Sequence, residues 1–190
     1  MVYFGLWFLS GAGAIFSTAP YSCYLMKLDR FGLLQPPDKI ALDLDTFRTT
    51  FVDNMQSSSK REAIYQAYTA YTEQFKLEVT GQFSHWIGGS FTTDKLNPSD
   101  IDVLTILPED VYEQNEVVIN NNFRQRIGIE SYVDSYFLSV VPPAGKRYAL
   151  YHSDYLYWLH QFTYTRKGKN NRRRRRGFIE ITYNNYTYEQ

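Results

Sequence analysis

Two apolar runs, Phe83–Ile87 and Ile101–Leu107, flank a turn-rich stretch with Gly88-Gly89-Ser90 at one end and Asp100-Ile101-Asp102 at the other. No other feature constrains the fold as much. Both runs read as strands, and Pro108 ends the second. Glycines at the end of a strand let backbone N–H groups approach phosphate oxygens, and Ser90 adds a hydroxyl donor. A helix beginning near Ser90 would add its N-terminal dipole. Side chains alternate along a strand, so Asp100 and Asp102 project to one side. Two carboxylates held that close repel unless a cation sits between them. Hard oxygen donors select Mg²⁺ or Mn²⁺, ions that also bind nucleotide phosphates. Each half alone has a plainer explanation: a tight turn at Gly88-Gly89 and an Asx-type turn at Asn97–Asp100. Together they put a phosphate cradle (Gly88, Gly89, Ser90) and a metal-binding pair on neighbouring strands. Lys95, in the spacer, is a further phosphate contact or a solvated loop lysine.

The rest of the chain reads as support for this stretch. Phe31–Pro37 is extended, because each proline restricts the residue before it. Asp43 or Asp45 caps a helix through about Met55, with Leu44, Phe47, Phe51 and Val52 on one face. After a serine run, Ser59 and Glu62 fit a capping box that opens a helix to about Leu77. Its Ile64, Ala67, Tyr68, Tyr71 and Phe75 form one apolar face, and tyrosines at that spacing read as core rather than as a base-stacking surface. A frayed helix over 109–126, a strand over Tyr132–Val141, a turn at Pro142–Gly145, an aromatic helix over Leu150–Phe162 and a strand over Phe178–Tyr183 follow. Alternating helices and strands without repeats predict an α+β (α/β) domain, a mixed sheet flanked by helices.

A chain of 190 residues suits one domain with a full core. Twenty basic and twenty acidic side chains balance, so whole-chain charge calls for no polyanion, and 17 Tyr and 13 Phe argue against disorder. Cys23 is the sole cysteine, which rules out an internal disulfide and a cysteine zinc site. His85, His152 and His160 lack metal-ligand spacing and read as packing or surface residues. The first 26 residues carry no charge. A signal peptide would want a basic start. A membrane span would not be broken by Ser10, Gly11, Gly13, Ser17, Thr18, Pro20 and Ser22. The preferred expectation is an apolar extension over 1–26 upstream of a natural start at Met26, a domain over 27–190, no stable membrane insertion and a cytoplasmic location.

With Gly89, Ser90, Asp100, Ile101, Asp102 and Val103 in place, the stretch resembles the nucleotidyltransferase superfamily that includes polymerase β. Its signature is an apolar residue, glycine with glycine or serine, a spacer of about ten residues, and an acid-x-acid pair between apolar residues. It is similar also to a group of small bacterial proteins with a W-x-x-G-S-F-x-T-D-K-x-x-P-x-D-I-D-V run. Shared G-L-L-x-P-P and T-F-R-x-x-F-V elements, here Gly32–Pro37 and Thr46–Val52, extend the similarity over roughly Lys27 to Ile181. The resemblance implies transfer of a nucleoside monophosphate from an NTP to a hydroxyl of a protein, RNA or small molecule, in a toxin–antitoxin or defence setting. It implies two Mg²⁺ (or Mn²⁺) ions on Asp100, Asp102 and a third carboxylate on a later strand. Asp134, an acid inside an otherwise apolar strand, is the first choice; Glu180 is the second, and Glu130 is another rival. The alternative is an inactive module of the same fold that binds a nucleotide or RNA.

Arg172–Arg176, with Arg166, Lys167 and Lys169, makes a basic loop before the last strand. Three readings stand: a salt-dependent nucleic-acid contact, a solvated loop, and an Arg176 end that approaches the triphosphate.

Overall fold

The computed structural model describes residues 26–55, 59–124, 131–168 and 170–188. The expectations for the extension before Met26, for Ser57 and Ser58, for Glu130 and for Lys169 lie outside the described residues. The fold is α+β. A two-stranded sheet pairs β1 (Lys27–Leu28) with β2 (Leu34–Gln35), and a five-stranded mixed sheet has the order β3-β7-β4-β5-β6. Its strands are β3 (Lys39–Ala41), β4 (Phe83–Gly88), β5 (Ile101–Pro108), β6 (Val133–Val140) and β7 (Phe178–Tyr183). β7, last in sequence, inserts between β3 and β4, parallel to the first and antiparallel to the second. β5 runs antiparallel to β4 and parallel to β6.

The helices divide between the two faces of this sheet. Asp43 caps α1 (Leu44–Arg48), its carboxylate accepting from Thr46 N–H at 2.6 Å. The helix continues as a π-turn over Thr49–Asp53. With α2 (Ser59–Glu78) it covers the face that carries Phe83, Ile87, Ile101, Val103 and Ile179, and Phe47, Phe51, Ile64, Tyr68 and Phe75 are buried there. The tyrosines of α2 are core, as their spacing predicts. α3 (Glu109–Gln114) and α4 (Glu116–Val118), followed by a π-turn over Ile119–Phe123, make up the frayed helix. α5 (Tyr148–Thr163) covers the opposite face, packing Tyr151, Tyr155 and Phe162 on Trp86, Leu104, Leu138 and Phe178. This division places the C-terminal end of α5 beside the end of β4 that carries the glycines: a Cβ on Gly88 would meet Phe162 at 2.9 Å.

The short strands β1, β2 and β3 were not legible from pattern, because two or three residues show no period. They exist because partners supply the hydrogen bonds: β2 pairs with β1, and β3 with β7. No helix among the described residues is long and apolar enough to cross a membrane.

His85 is a packing residue, as expected, but a polar one. It is fully buried, and Tyr68 Oη lies 3.0 Å from its Nδ1 and 2.8 Å from Tyr183 Oη. Burial, with a smaller contribution from Lys76, pushes its imidazole down to about 3. The unfolded chain takes up this proton near pH 6.5 and the folded chain does not. Stability is therefore present above pH 6.5 and drains away as pH falls toward 3, by about 1.4 kcal/mol per pH unit from this group. Urea unfolding between pH 6.5 and 4.5 should show a slope steeper by that amount in the wild type than in His85→Asn. Equal slopes would assign the acid sensitivity to carboxylates alone.

Candidate active site

Sheet register assembles the acids. Asp102 on β5 faces Gly88 on β4 and Asp134 on β6 as direct register partners. Partners on adjacent strands share a face, so the two carboxylates stand on the same side, next to the glycine turn. Asp100 lies just before β5 and lines the same cleft as Asp102. That cleft, of about 320 Å³, is also bounded by Gly89, Ser90, Lys95 and Arg176.

The turn is built around the carboxylate. Gly89 has φ +75°, a conformation that costs glycine little. A Cβ at that position would fall 1.5 Å from Asp102 Oδ2, so the absent side chain is what lets the acid lie on the backbone. Ser90 Oγ, buried at the cleft, has no hydrogen-bond partner among the described residues. No helix follows the turn. Residues 91–94 are turns and bends, with Thr93 Oγ1 donating to Ser90 O at 2.7 Å. The anticipated helix dipole is therefore not part of the site. The Pro98-containing spacer and the side-chain bonds of Thr92 and Thr93 hold the segment in a compact loop instead.

Burial pushes the Asp102 carboxyl up to about 6, with Asp100 and then Asp134 raising it further and Arg176 and Arg166 opposing them. Its environment thus resists a negative charge at neutral pH.

Asp134 shares the face but does not line the cleft. Its Oδ2 accepts from Tyr136 Oη at 2.7 Å, and its Oδ1 is buried with no partner among the described residues. Glu180 is committed elsewhere: it pairs with Lys39 at 3.2 Å and accepts from Trp86 Nε1 at 3.0 Å and Tyr188 Oη at 2.6 Å. That network ties β3, β4 and the C-terminal segment together, which removes Glu180 as the third acid. Glu130 lies outside the described residues. Among the described residues, no three His, Cys, Asp or Glu side chains form a group that could hold a metal ion as they stand. In kind the donors do fit a hard divalent cation: Asp102 and Asp134 stand in register with Asp100 nearby, and Asp134 Oδ1 and Ser90 Oγ are buried without a partner among the described residues.

Lys95 is exposed at the cleft mouth, with its backbone held from below. Arg61 of α2 donates Nη1 to Phe51 O (2.8 Å) and Phe91 O (2.9 Å), and Nη2 to Thr93 O (2.8 Å) and Lys95 O (2.6 Å). Sequence pattern gave no signal for this residue, because an arginine in the first turn of an amphipathic helix reads as surface. Arg176, half-buried at the base of the basic run, donates Nη1 to Gly89 O at 2.8 Å and Nε to Phe162 O at 3.2 Å. Of the three readings for the run, the Arg176 end does reach the cleft. Arg166 lines it too.

A family model described as a family of unknown function, DUF6932, matches residues 26–182. No curated protein and no solved structure matches. With most of its length covered by that one model, the chain belongs to DUF6932, a family of unknown function.

Proposed function

We propose that this protein is a metal-dependent nucleotidyltransferase that moves a nucleoside monophosphate from an NTP to a hydroxyl acceptor. The observation that carries this reading is the row Gly88–Asp102–Asp134, with the Asp102 carboxylate seated on the Gly89 backbone. A phosphate-approachable turn and in-register acids are what a triphosphate with its counter-ions needs. Asp100, Asp102 and Asp134 would hold Mg²⁺ or Mn²⁺, which when bound supplies positive charge to the phosphates and eases ionisation of the attacking hydroxyl. The backbone at Gly89, Ser90 Oγ and Lys95 would position the β- and γ-phosphates, and Arg176 and Arg166 add fixed positive charge. The acceptor oxygen bonds to the α-phosphorus, the bond from that phosphorus to the pyrophosphate oxygen breaks, and pyrophosphate leaves. The hydroxyl proton is released to water, because Asp134 Oδ1, the oxygen that Tyr136 leaves unoccupied, would serve as the metal donor. A cytoplasmic location goes with the use of NTP.

One observation favours a second reading, a nucleotide-binding module without turnover. Tyr136 occupies Asp134 Oδ2, and no closed three-acid group is present among the described residues. Incubation of the protein with each labelled NTP and Mg²⁺ in lysate separates the two. The expected result is label on an acceptor with wild type and none with Asp102→Ala. Thermal stabilisation by Mg²⁺–NTP without label on any acceptor would leave only the binding module.

A further inference from the structure

A second cleft opens on the other side of Asp102, and its walls are aromatic. It has a volume of about 140 Å³ and shares Asp102, Arg166 and Arg176 with the phosphate-side cleft. The remaining wall comes from Tyr136, Tyr157, Trp158, Gln161, Phe162 and Tyr164. Trp158 packs between Tyr136 (centroids 4.7 Å apart) and Tyr157 (5.2 Å). Tyr157 is 55% exposed although it is a large ring. Drug-sized ligands occupy roughly 300–1,000 Å³, so this cleft suits one planar ring system rather than a whole nucleotide triphosphate. Gln161 and the tyrosine hydroxyls offer donors and acceptors at its edge.

The chain then leaves α5 and forms a basic ribbon at the mouth of this cleft. Tyr164 bridges to Arg175, Thr165 N–H donates to Arg174 O at 2.9 Å, and Gly168 N–H to Arg172 O at 3.1 Å. Arg166, Lys167, Arg172 and Arg173 are exposed along it. Among the described residues none of these four is in an ion pair with a carboxylate. Planar rings beside a line of cations without carboxylate partners among the described residues match a flexible polyanion whose repeating units carry π-faces, which is single-stranded nucleic acid. An acidic protein would use the cations but leave the aromatic cleft without a role.

We propose that the hydroxyl acceptor of this site is the end of a single-stranded nucleic acid, its terminal base stacked on Trp158 and Tyr157 and its preceding phosphates on Arg166, Arg172 and Arg173. This inference rests on the nucleotidyltransferase reading. It assigns the phosphate-side cleft to the NTP and the aromatic cleft to the acceptor, with Asp102 between them. The transferred nucleoside monophosphate extends the strand by one phosphodiester bond, and pyrophosphate is released.

The test is fluorescence anisotropy of an end-labelled single-stranded oligouridylate with the full chain, alongside thermal shift by Mg²⁺–NTP on the same preparations. Wild type should bind the single strand more tightly than the matching duplex, with affinity falling steeply with salt. Trp158→Ala and the more exposed Tyr157→Ala should each weaken binding about tenfold or more. Arg172→Glu with Arg173→Glu should lower the salt slope by about 1.4, two phosphate contacts. None of the three variants should alter the Mg²⁺–NTP shift. An NTP shift without binding of the single strand, or equal binding of duplex or of an acidic polypeptide, overturns the acceptor assignment and leaves the enzyme reading standing. Binding of the strand by wild type and all variants alike overturns it too. Strand binding with the expected losses and no NTP shift overturns the enzyme reading instead, and with it the role of the strand as acceptor.

Discussion

Asp102→Asn should abolish nucleotidyl transfer and at the same time make the metal-free protein more stable. Both effects have one origin. The folded pKa of Asp102, about 6, lies above the ordinary value of 3.8. A raised carboxyl favours the fold below pH 4, and that contribution is lost as pH rises through 6. At pH 7 the folded protein therefore carries a charge that its surroundings oppose, worth about 2–3 kcal/mol at 1.36 kcal/mol per unit. Asparagine keeps the shape and removes the charge. In urea unfolding at pH 7 with chelator present, the variant should be more stable by about that amount, and the difference should vanish near pH 4. Transfer of label should fall by about a thousandfold, because in the proposed reaction the carboxylate would supply several kcal/mol of organisation around the transferring phosphate. A variant less stable than wild type at pH 7 would show that this carboxylate is favourably paired in the fold. It would then not be held in readiness for a cation.

Arg61→Ala should cost about 3–5 kcal/mol, measured by urea unfolding, an unusually large effect for an arginine. Arg61 is 1% exposed and its guanidinium satisfies carbonyls of Phe51, Phe91, Thr93 and Lys95. Removing it leaves these oxygens without that donor and the buried volume unfilled. The total is held to a few kcal/mol because the segment from Thr93 to Lys95 lies close enough to solvent to recover some hydration. Arg61→Lys should restore less than half, since one ammonium cannot reproduce a planar fork that spans both sides of the loop. Limited proteolysis should find cleavage between Phe91 and Leu96 in Arg61→Ala and not in wild type. A cost under about 1 kcal/mol would mean that the loop holds itself through Thr92 and Thr93.

Pattern was informative wherever an element was long enough to repeat. α2 spans Ser59–Glu78 and β7 spans Phe178–Tyr183, and both follow from the spacing of their apolar residues. The paired acids and the glycine turn were legible because local chemistry, small residues at a turn and carboxylates two apart, is written in adjacent positions. The partner acid was harder. Asp134 and Glu180 look alike on paper, each one acid in an apolar strand. Only strand order separates them: Asp134 is opposite Asp102 in the β5–β6 register, whereas Glu180 is opposite Trp86 and consumed by Lys39, Trp86 and Tyr188. The expected helix after Ser90 failed for a similar reason, because backbone carbonyls of that segment are captured by Arg61 of a distant helix.

The amino-acid sequence by itself determined the strands that frame the site, the backbone freedom at Gly89 and the presence of the Asp100–Asp102 pair, because these depend on neighbours within a few positions. The tertiary structure alone decided which later acid stands beside that pair, which arginine closes the cleft, and that the aromatic face of α5 ends beside Asp102. Sheet register and helix placement are set by burial summed over the whole chain, and no local stretch encodes that sum.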